Sequence, residues 1–248
     1  MHRIDIDRII NEQYGNGFLI KHKLIRKLIA HILSKLLYIE TINNFLDESG
    51  YYDSRQFINA VFDKLNFSYL ISSSDLQKIP SEGKVICVAN HPIGSLDGLS
   101  LLKIVLDVRS DVKIVANDIL INFDNLKNHF LPFKLHTGAA QRDNIKLIGD
   151  ALDGECAVIM FPAAAVSRLK WFRVIDSKWK KGAVHFARKF NSPVLPVYIA
   201  AKNSAMFYVV SVLSKRFSML LLAHELFNKK NRTITVKIGD IIPSKVFN

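Results

Sequence analysis

From residue 80 onward, apolar runs of strand length alternate with stretches of helical periodicity. This alternation constrains the fold most, because strands separated by helices are joined most simply in parallel, with helices covering the sheet faces. Strands are expected at 84–88, 112–116, 133–136, 157–161, 194–199 and 233–238, and helices near 99–107, 119–130, 142–152, 181–190 and 204–227. The predicted class is α/β, a mostly parallel central sheet flanked by helices. A chain of 248 residues suits one such domain with an extension. We place a helical arm at 1–76 and the α/β domain at 77–248. There is no internal repeat. The chain stops soon after the last strand, at Ile242-Pro243-Ser244, so a further C-terminal helix is expected to be missing.

Within the arm, apolar residues recur at helical spacing across 18–46, among them Leu24, Ile25, Leu28, Ile29, Ile32, Leu33, Leu36 and Leu37. Lys21, Lys23, Arg26, Lys27 and Lys35 are interleaved. Such a basic amphipathic helix can lie in a membrane interface, or it can pack on the domain with a solvated basic face. A second helix is expected near 55–66, with Phe57, Ile58, Val61, Phe62 and Leu65 on one side.

Lys and Arg number 34 against 22 Asp and Glu, a net charge of +12 that favours anionic partners. The chain has no recognisable nucleic-acid motif, and its basic residues mix with an apolar helix instead of exposed stacking aromatics, so nucleic acid is not the expected partner. Cys87 and Cys156 lie in apolar strand-like runs and read as core residues of a reducing compartment. No signal peptide is visible. No segment has the apolar length of a spanning helix; the longest candidate, 205–223, is broken by Lys215 and Arg216. Any membrane work is expected at the cytoplasmic face.

One loop concentrates chemistry. Asn90-His91-Pro92-Ile93-Gly94-Ser95-Leu96-Asp97-Gly98 stands where a strand hands over to a helix. Pro92 biases His91 toward extended backbone, and Gly94 and Gly98 permit a tight reversal that can return Asp97 to His91. The carboxylate would then fix the imidazole tautomer and leave the other ring nitrogen free to take a proton from a hydroxyl. The residue types also allow a plainer arrangement, with Asp97 a helix cap and His91 a turn residue. Cys87 is not expected to act as a nucleophile, because nothing near it would depress its pKa.

The spacing Asn90-His91…Asp97-Gly98 resembles the first motif of the lysophospholipid acyltransferase family, the glycerophosphate acyltransferase superfamily. Five residues separate His91 from Asp97, as in the hemolysin-like branch, which includes enzymes acylating lyso-ornithine and related amino-acid lipids. Gly138-Ala139-Ala140-Gln141-Arg142 stands where the second motif places its arginine. Phe161-Pro162-Ala163-Ala164-Ala165-Val166-Ser167-Arg168 resembles the branch's third motif, Phe-Pro-Ala-Gly-Glu-Val-Ser-Arg, and departs from it at Ala164 and Ala165. Pro193, at the start of a strand, and Pro196, within it, resemble the fourth motif.

The resemblance implies the acyltransferase fold and transfer of a fatty acyl group from a thioester, acyl-CoA or acyl-ACP, to a lysolipid hydroxyl. His91 would be the general base and Asp97 its orienting partner. Phe161, Pro162, Ala163, Ala164, Ala165, Ser167 and Pro196 would shape the substrate site, and Arg142 and Arg168 would hold an anionic group. No bound cofactor or metal is implied, and His129, His136, His185 and His224 show no ligand spacing. The implied partners are a lysolipid, the acyl donor and an anionic membrane surface. The loss of glycine and glutamate at 164 and 165 also fits a catalytically weakened, lipid-binding member of the same fold. Asn203-Ser204 would cap a long apolar helix whose face, with Phe207, Val210, Leu213 and Phe217, either lines an acyl groove or belongs to the core.

Overall fold

The computed structural model describes residues 3–7, 23–116, 123–132 and 139–247. Two helices, α1 (Lys23–Leu36) and α2 (Ile39–Ser49), replace the single helix expected over 18–46, whose first residues lie outside the described part. The break is at Tyr38, whose backbone is left-handed (φ 54°) while its ring stacks on Phe227 at 4.2 Å. Helix α3 (Ser54–Leu65) starts with Asp53, which accepts from the Gln56 N–H while the Gln56 side chain accepts from Asp53 N–H, a reciprocal cap.

The sheet follows with β1 (Ser68–Leu70), the short α4 (Ser73–Leu76), β2 (Val85–Ala89), α5 (Ser95–Leu106), β3 (Val112–Ala116) and β4 (Phe130–Pro132). Helix α6 (Ala139–Asp153) and β5 (Ala157–Met160) lead into a hairpin, β6 (Arg168–Lys170) and β7 (Arg173–Ile175). The chain ends through α7 (Gly182–Lys189), β8 (Val194–Ala200), α8 (Ala205–Leu213), α9 (Lys215–Phe227) and β9 (Thr233–Ile238). Seven strands form one sheet in the order β1-β9-β8-β2-β5-β3-β4. β8, β2, β5, β3 and β4 run parallel; β9 is antiparallel to β8, and β1 pairs parallel with β9. The α/β class read from the sequence therefore holds. The segment before residue 77 contributes strand β1 and buries Leu46, Phe57, Ile58, Phe62 and Leu65 in the same core.

Three further expectations change. The helix near 119–130 is, over its described residues, a single 3-10 turn at Asp124–Leu126. The following strand lies at Phe130–Pro132, and the expected position 133–136 falls outside the described residues. The helix at 204–227 is two helices, because Ser214 is extended and its hydroxyl accepts from the Phe217 N–H to start α9 anew.

The central strands are buried on both faces, as a parallel sheet requires, and β2 has no exposed residue. One face packs on α3 and α5 through Ile58, Leu101, Leu102 and Val105, and the other on α6 and α7 through Ile148, Leu152 and Phe186. At the amino edge of the sheet Arg109 acts as a staple. Its Nε and Nη2 grip Asp111 at 2.7 and 2.6 Å, and its remaining donors reach the carbonyls of Pro80, Gly83 and Glu155. The Arg109 side chain is nearly inaccessible (1 %), so its charge is held by these partners and not by solvent. Arg109→Lys keeps the charge but not the planar fork, and is expected to cost about 3 kcal/mol in urea denaturation.

Candidate active site

β2 and β5 are adjacent and parallel, with Val88 in register with Met160. Both strands therefore end at the same edge, and the chain leaves them as Asn90-His91 and Phe161-Pro162. Crevices beyond the carboxyl ends of parallel strands are where such sheets place ligands.

The loop after β2 closes on Asp97. One carboxylate oxygen, Oδ2, accepts the N–H groups of Ile93 (2.8 Å) and Gly94 (3.1 Å). The other, Oδ1, lies 2.9 Å from His91 Nδ1, and neither of these two atoms has another partner among the described residues. Asp97 has no accessible surface, whereas the His91 side chain keeps 22 % of its own. Nδ1 is buried, so the accessible part of the ring lies away from the carboxylate. Asp97 is thus both the third residue of α5, serving the helix start, and the residue that faces His91. Gly94 makes the reversal possible with φ 96°, a conformation that side chains resist. Gly98 has no part in the reversal. It lies inside α5, and a Cβ there would make only ordinary contact with Ile114 and Phe161.

Neighbouring loops lock the imidazole. Phe161 lies against it, ring centres 4.5 Å apart and planes 35° apart. Ser167 donates its N–H to the His91 carbonyl at 2.8 Å. The Ser167 hydroxyl donates to Asp176, whose other oxygen accepts from the Trp179 indole at 2.9 Å. Burial disfavours the charged imidazole, but the Asp97 carboxylate, through charge and hydrogen bond, and the charge of Asp176 outweigh it. The His91 pKa therefore sits above its ordinary 6.5. Asp176 and Trp179 are not among the residues expected from the sequence; the signal available was Asp-x-x-Trp, beginning eight residues past the end of the third motif. Asn90 enters the sequence reading only as part of a motif. Its amide pairs with both backbone groups of Ile199, at 2.7 and 2.9 Å, and extends β2 toward β8 by one side chain. Asn203 donates to the Pro92 carbonyl at 3.3 Å and joins the start of α8 to the loop.

The remaining candidates divide. Pro162 accepts the Lys180 N–H at 3.0 Å, and Ala163 is buried beneath the loop. Ala164 takes φ 55°, the left-handed conformation that the glycine of the resembled motif would hold without strain. Ala165 is half-buried. Arg168 donates to Ser218 at 2.5 Å, stands over the Phe207 ring, and has no carboxylate ion pair among the described residues; burial lowers its pKa. It reaches α8 and α9 rather than His91. Arg142 is exposed on the first turns of α6, which follows β4. β4 lies three strands from β2, about 14 Å at ordinary strand spacing, so Arg142 stands at the same edge without touching the pair.

Pro196 is not a site residue by contact. It lies inside β8 in register with Val88, at the position where β9 ends, and a Cβ on Gly239 would meet its ring at 2.9 Å. The missing N–H falls at the end of the β8–β9 ladder, which explains how an interior strand tolerates the proline. Cys87 is fully buried and its thiol is pushed up to about 12 by burial, so it does not serve as a nucleophile. Of the helix face considered for an acyl groove, Phe207 is core and Leu213 is exposed.

The sequence profile of the acyltransferase family matches residues 19–245. The chain belongs to that family. It is similar to the lyso-glycine lipid O-acyltransferase of Bacteroides thetaiotaomicron, 31 % identical over 253 residues that cover 99 % of this chain and 90 % of the relative. The enzyme of the same name from Phocaeicola vulgatus is 29 % identical over 252 residues, covering 99 % and 88 %. In fold the acyltransferase is similar to the 1-acyl-sn-glycerophosphate acyltransferase PlsC of Thermotoga maritima, with a TM-score of 0.50 at 18 % identity over 89 % of this chain and 88 % of that one. The resemblance to the lysophospholipid acyltransferase superfamily is borne out by these matches.

Two substitutions test the loops. Gly94→Ala forces a Cβ into a strained conformation and is expected to cost about 1–3 kcal/mol in thermal or urea unfolding. Ala164→Gly relieves the left-handed alanine and is expected to raise stability by about 1 kcal/mol, seen as a higher melting temperature.

Proposed function

We propose that the acyltransferase moves a fatty acyl group from a thioester donor, acyl-CoA or acyl-ACP, to the hydroxyl of a lysolipid, with an acceptor of the lyso-glycine lipid kind. The observation that carries this reading is the His91–Asp97 couple, 2.9 Å apart, with the accessible side of the imidazole turned away from the carboxylate. The acceptor class follows the names of the two similar O-acyltransferases.

In this mechanism His91 Nε2 takes the hydroxyl proton as the acceptor oxygen attacks the thioester carbonyl. Asp97 holds Nδ1–H and stabilises the imidazolium that forms. The carbon–sulfur bond then breaks, and the proton passes from His91 to the departing thiolate. The acceptor oxygen is itself the nucleophile, so no acyl-enzyme is formed. The Ile93 and Gly94 N–H groups are committed to Asp97 and do not serve the oxyanion. Arg168, lacking a carboxylate ion pair among the described residues, is placed to hold an anionic group of acceptor or donor. Arg142 would meet a more distant part of a long substrate.

We propose that the reaction takes place on the cytoplasmic face of an anionic membrane. Ile25, Leu28 and Ile32 share one face of α1 and stay exposed, with Lys27 and Lys35 beside them. That is the pattern of a helix lying in a lipid interface. Among the described residues no helix is long and apolar enough to cross a membrane. The alanines at 164 and 165 favour a second reading, an acyltransferase domain that binds lipid with little turnover.

Acyl transfer to a panel of lysolipids, comparing the chain with His91→Ala, tests the proposal. Turnover that is highest with lyso-glycine lipid and falls at least about a thousandfold in the variant is expected; equal rates would sink it. Ala164→Gly with Ala165→Glu should raise turnover if the second reading holds. The pH profile is a further check. Only neutral His91 accepts a proton, so kcat/KM should rise with pH through a midpoint above 6.5. Asp176→Asn removes a negative charge facing the ring, and should move that midpoint to lower pH.

A further inference from the structure

The tip of the β6–β7 hairpin belongs to no part of the mechanism above. Lys170 and Arg173 are in register, so Trp171 and Phe172 form a two-residue turn. Both have positive φ, 48° and 61°, which defines the turn type that ordinarily takes Asn-Gly. Here two large aromatic residues occupy it, 92 % and 99 % exposed. The fold gains nothing from them: they pack on no core, and left-handed backbone strains a residue that carries a Cβ.

The hairpin base, by contrast, is fixed. Leu169 and Val174 pack with Val166, Phe207 and Leu221, and Leu36 at the end of α1 joins the same cluster. Ser167, at the start of the hairpin, holds the His91 carbonyl. The tip therefore projects from a rigid base built on the site loop. Close by, α8 packs against β6 and leaves Val209, Val212 and Leu213 exposed.

We infer that the Trp171-Phe172 tip is a wedge that inserts into an anionic lipid bilayer and seats the site loop at the membrane surface. An exposed aromatic pair is suited to the acyl–headgroup boundary, and the flanking Lys170 and Arg173 complement anionic headgroups. The same cations disfavour a second copy of this basic chain as occupant. The inference rests on the lysolipid reading for its purpose, but vesicle binding measures it without turnover.

The test is co-sedimentation of the full chain with vesicles of equal parts phosphatidylglycerol and phosphatidylethanolamine. The double variant W171N/F172G supplies the favoured turn, so its melting temperature should be unchanged or higher while its partitioning falls at least about tenfold. Vesicles with brominated acyl chains should quench wild-type tryptophan emission, and W171F should lose most of that quenching. Equal partitioning of wild type and variant, or quenching that W171F leaves intact, overturns the inference. So does wild-type protein that ignores the vesicles, or tip-dependent self-association in their absence. Acyl transfer to a short-chain acceptor in solution separates the two readings. Retained turnover with unchanged vesicle binding sinks the wedge alone, whereas lost wild-type turnover with tip-dependent binding sinks the acyl-transfer reading alone.

Discussion

A single buried carboxylate organises the site. Asp97 accepts two backbone N–H groups with one oxygen and faces the imidazole with the other, all without contact with water. A buried carboxylate is costly unless its acceptor positions are filled, so the loop is folded around it. The loop reverses at Gly94, α5 begins at Ser95, and His91 takes its orientation from the same group. The fold of the loop and the orientation of the imidazole thus share one interaction.

The rest of the sheet sets this group in place from two directions. At the carboxyl edge, Asn90 binds the backbone of Ile199 in β8, while Ser167 and Asn203 bind the carbonyls of His91 and Pro92, so that three separate segments converge on the loop. At the amino edge, Arg109 ties the segments beside β2, β3 and β5 through the carbonyls of Pro80, Gly83 and Glu155. Between these ends β2 and β5 are apolar and buried along their whole length. Polar order is concentrated at the two ends, with the stapled end away from the His91 loop.

Much of this was legible in the sequence because strands and helices differ in period. β3 and β9 match the expected bounds residue for residue, β5 and β8 differ by a residue at one end, and β2 is shifted by one residue. The His91–Asp97 pairing could be read from the glycine and proline that force the turn. What escaped was set by tertiary contact. Tyr38 breaks the first helix because its ring finds Phe227, and no helix-breaking residue announces it. The β6–β7 hairpin was invisible because its strands are short and its turn holds Trp-Phe where Asn-Gly would have signalled it. Asp176 reaches the site only through that hairpin. Pro196 belongs to the site by motif position alone, and the strand register places it in the sheet instead.

Cys87 sits in the strand that carries His91, sealed from solvent, with a thiol that burial keeps protonated. Were it open to solvent, a thiol in this strand would be a competing nucleophile in the proposed acyl transfer. Its enclosure removes that competitor, and leaves the half-buried Cys156 as the first sulfur that alkylating or oxidising reagents would reach.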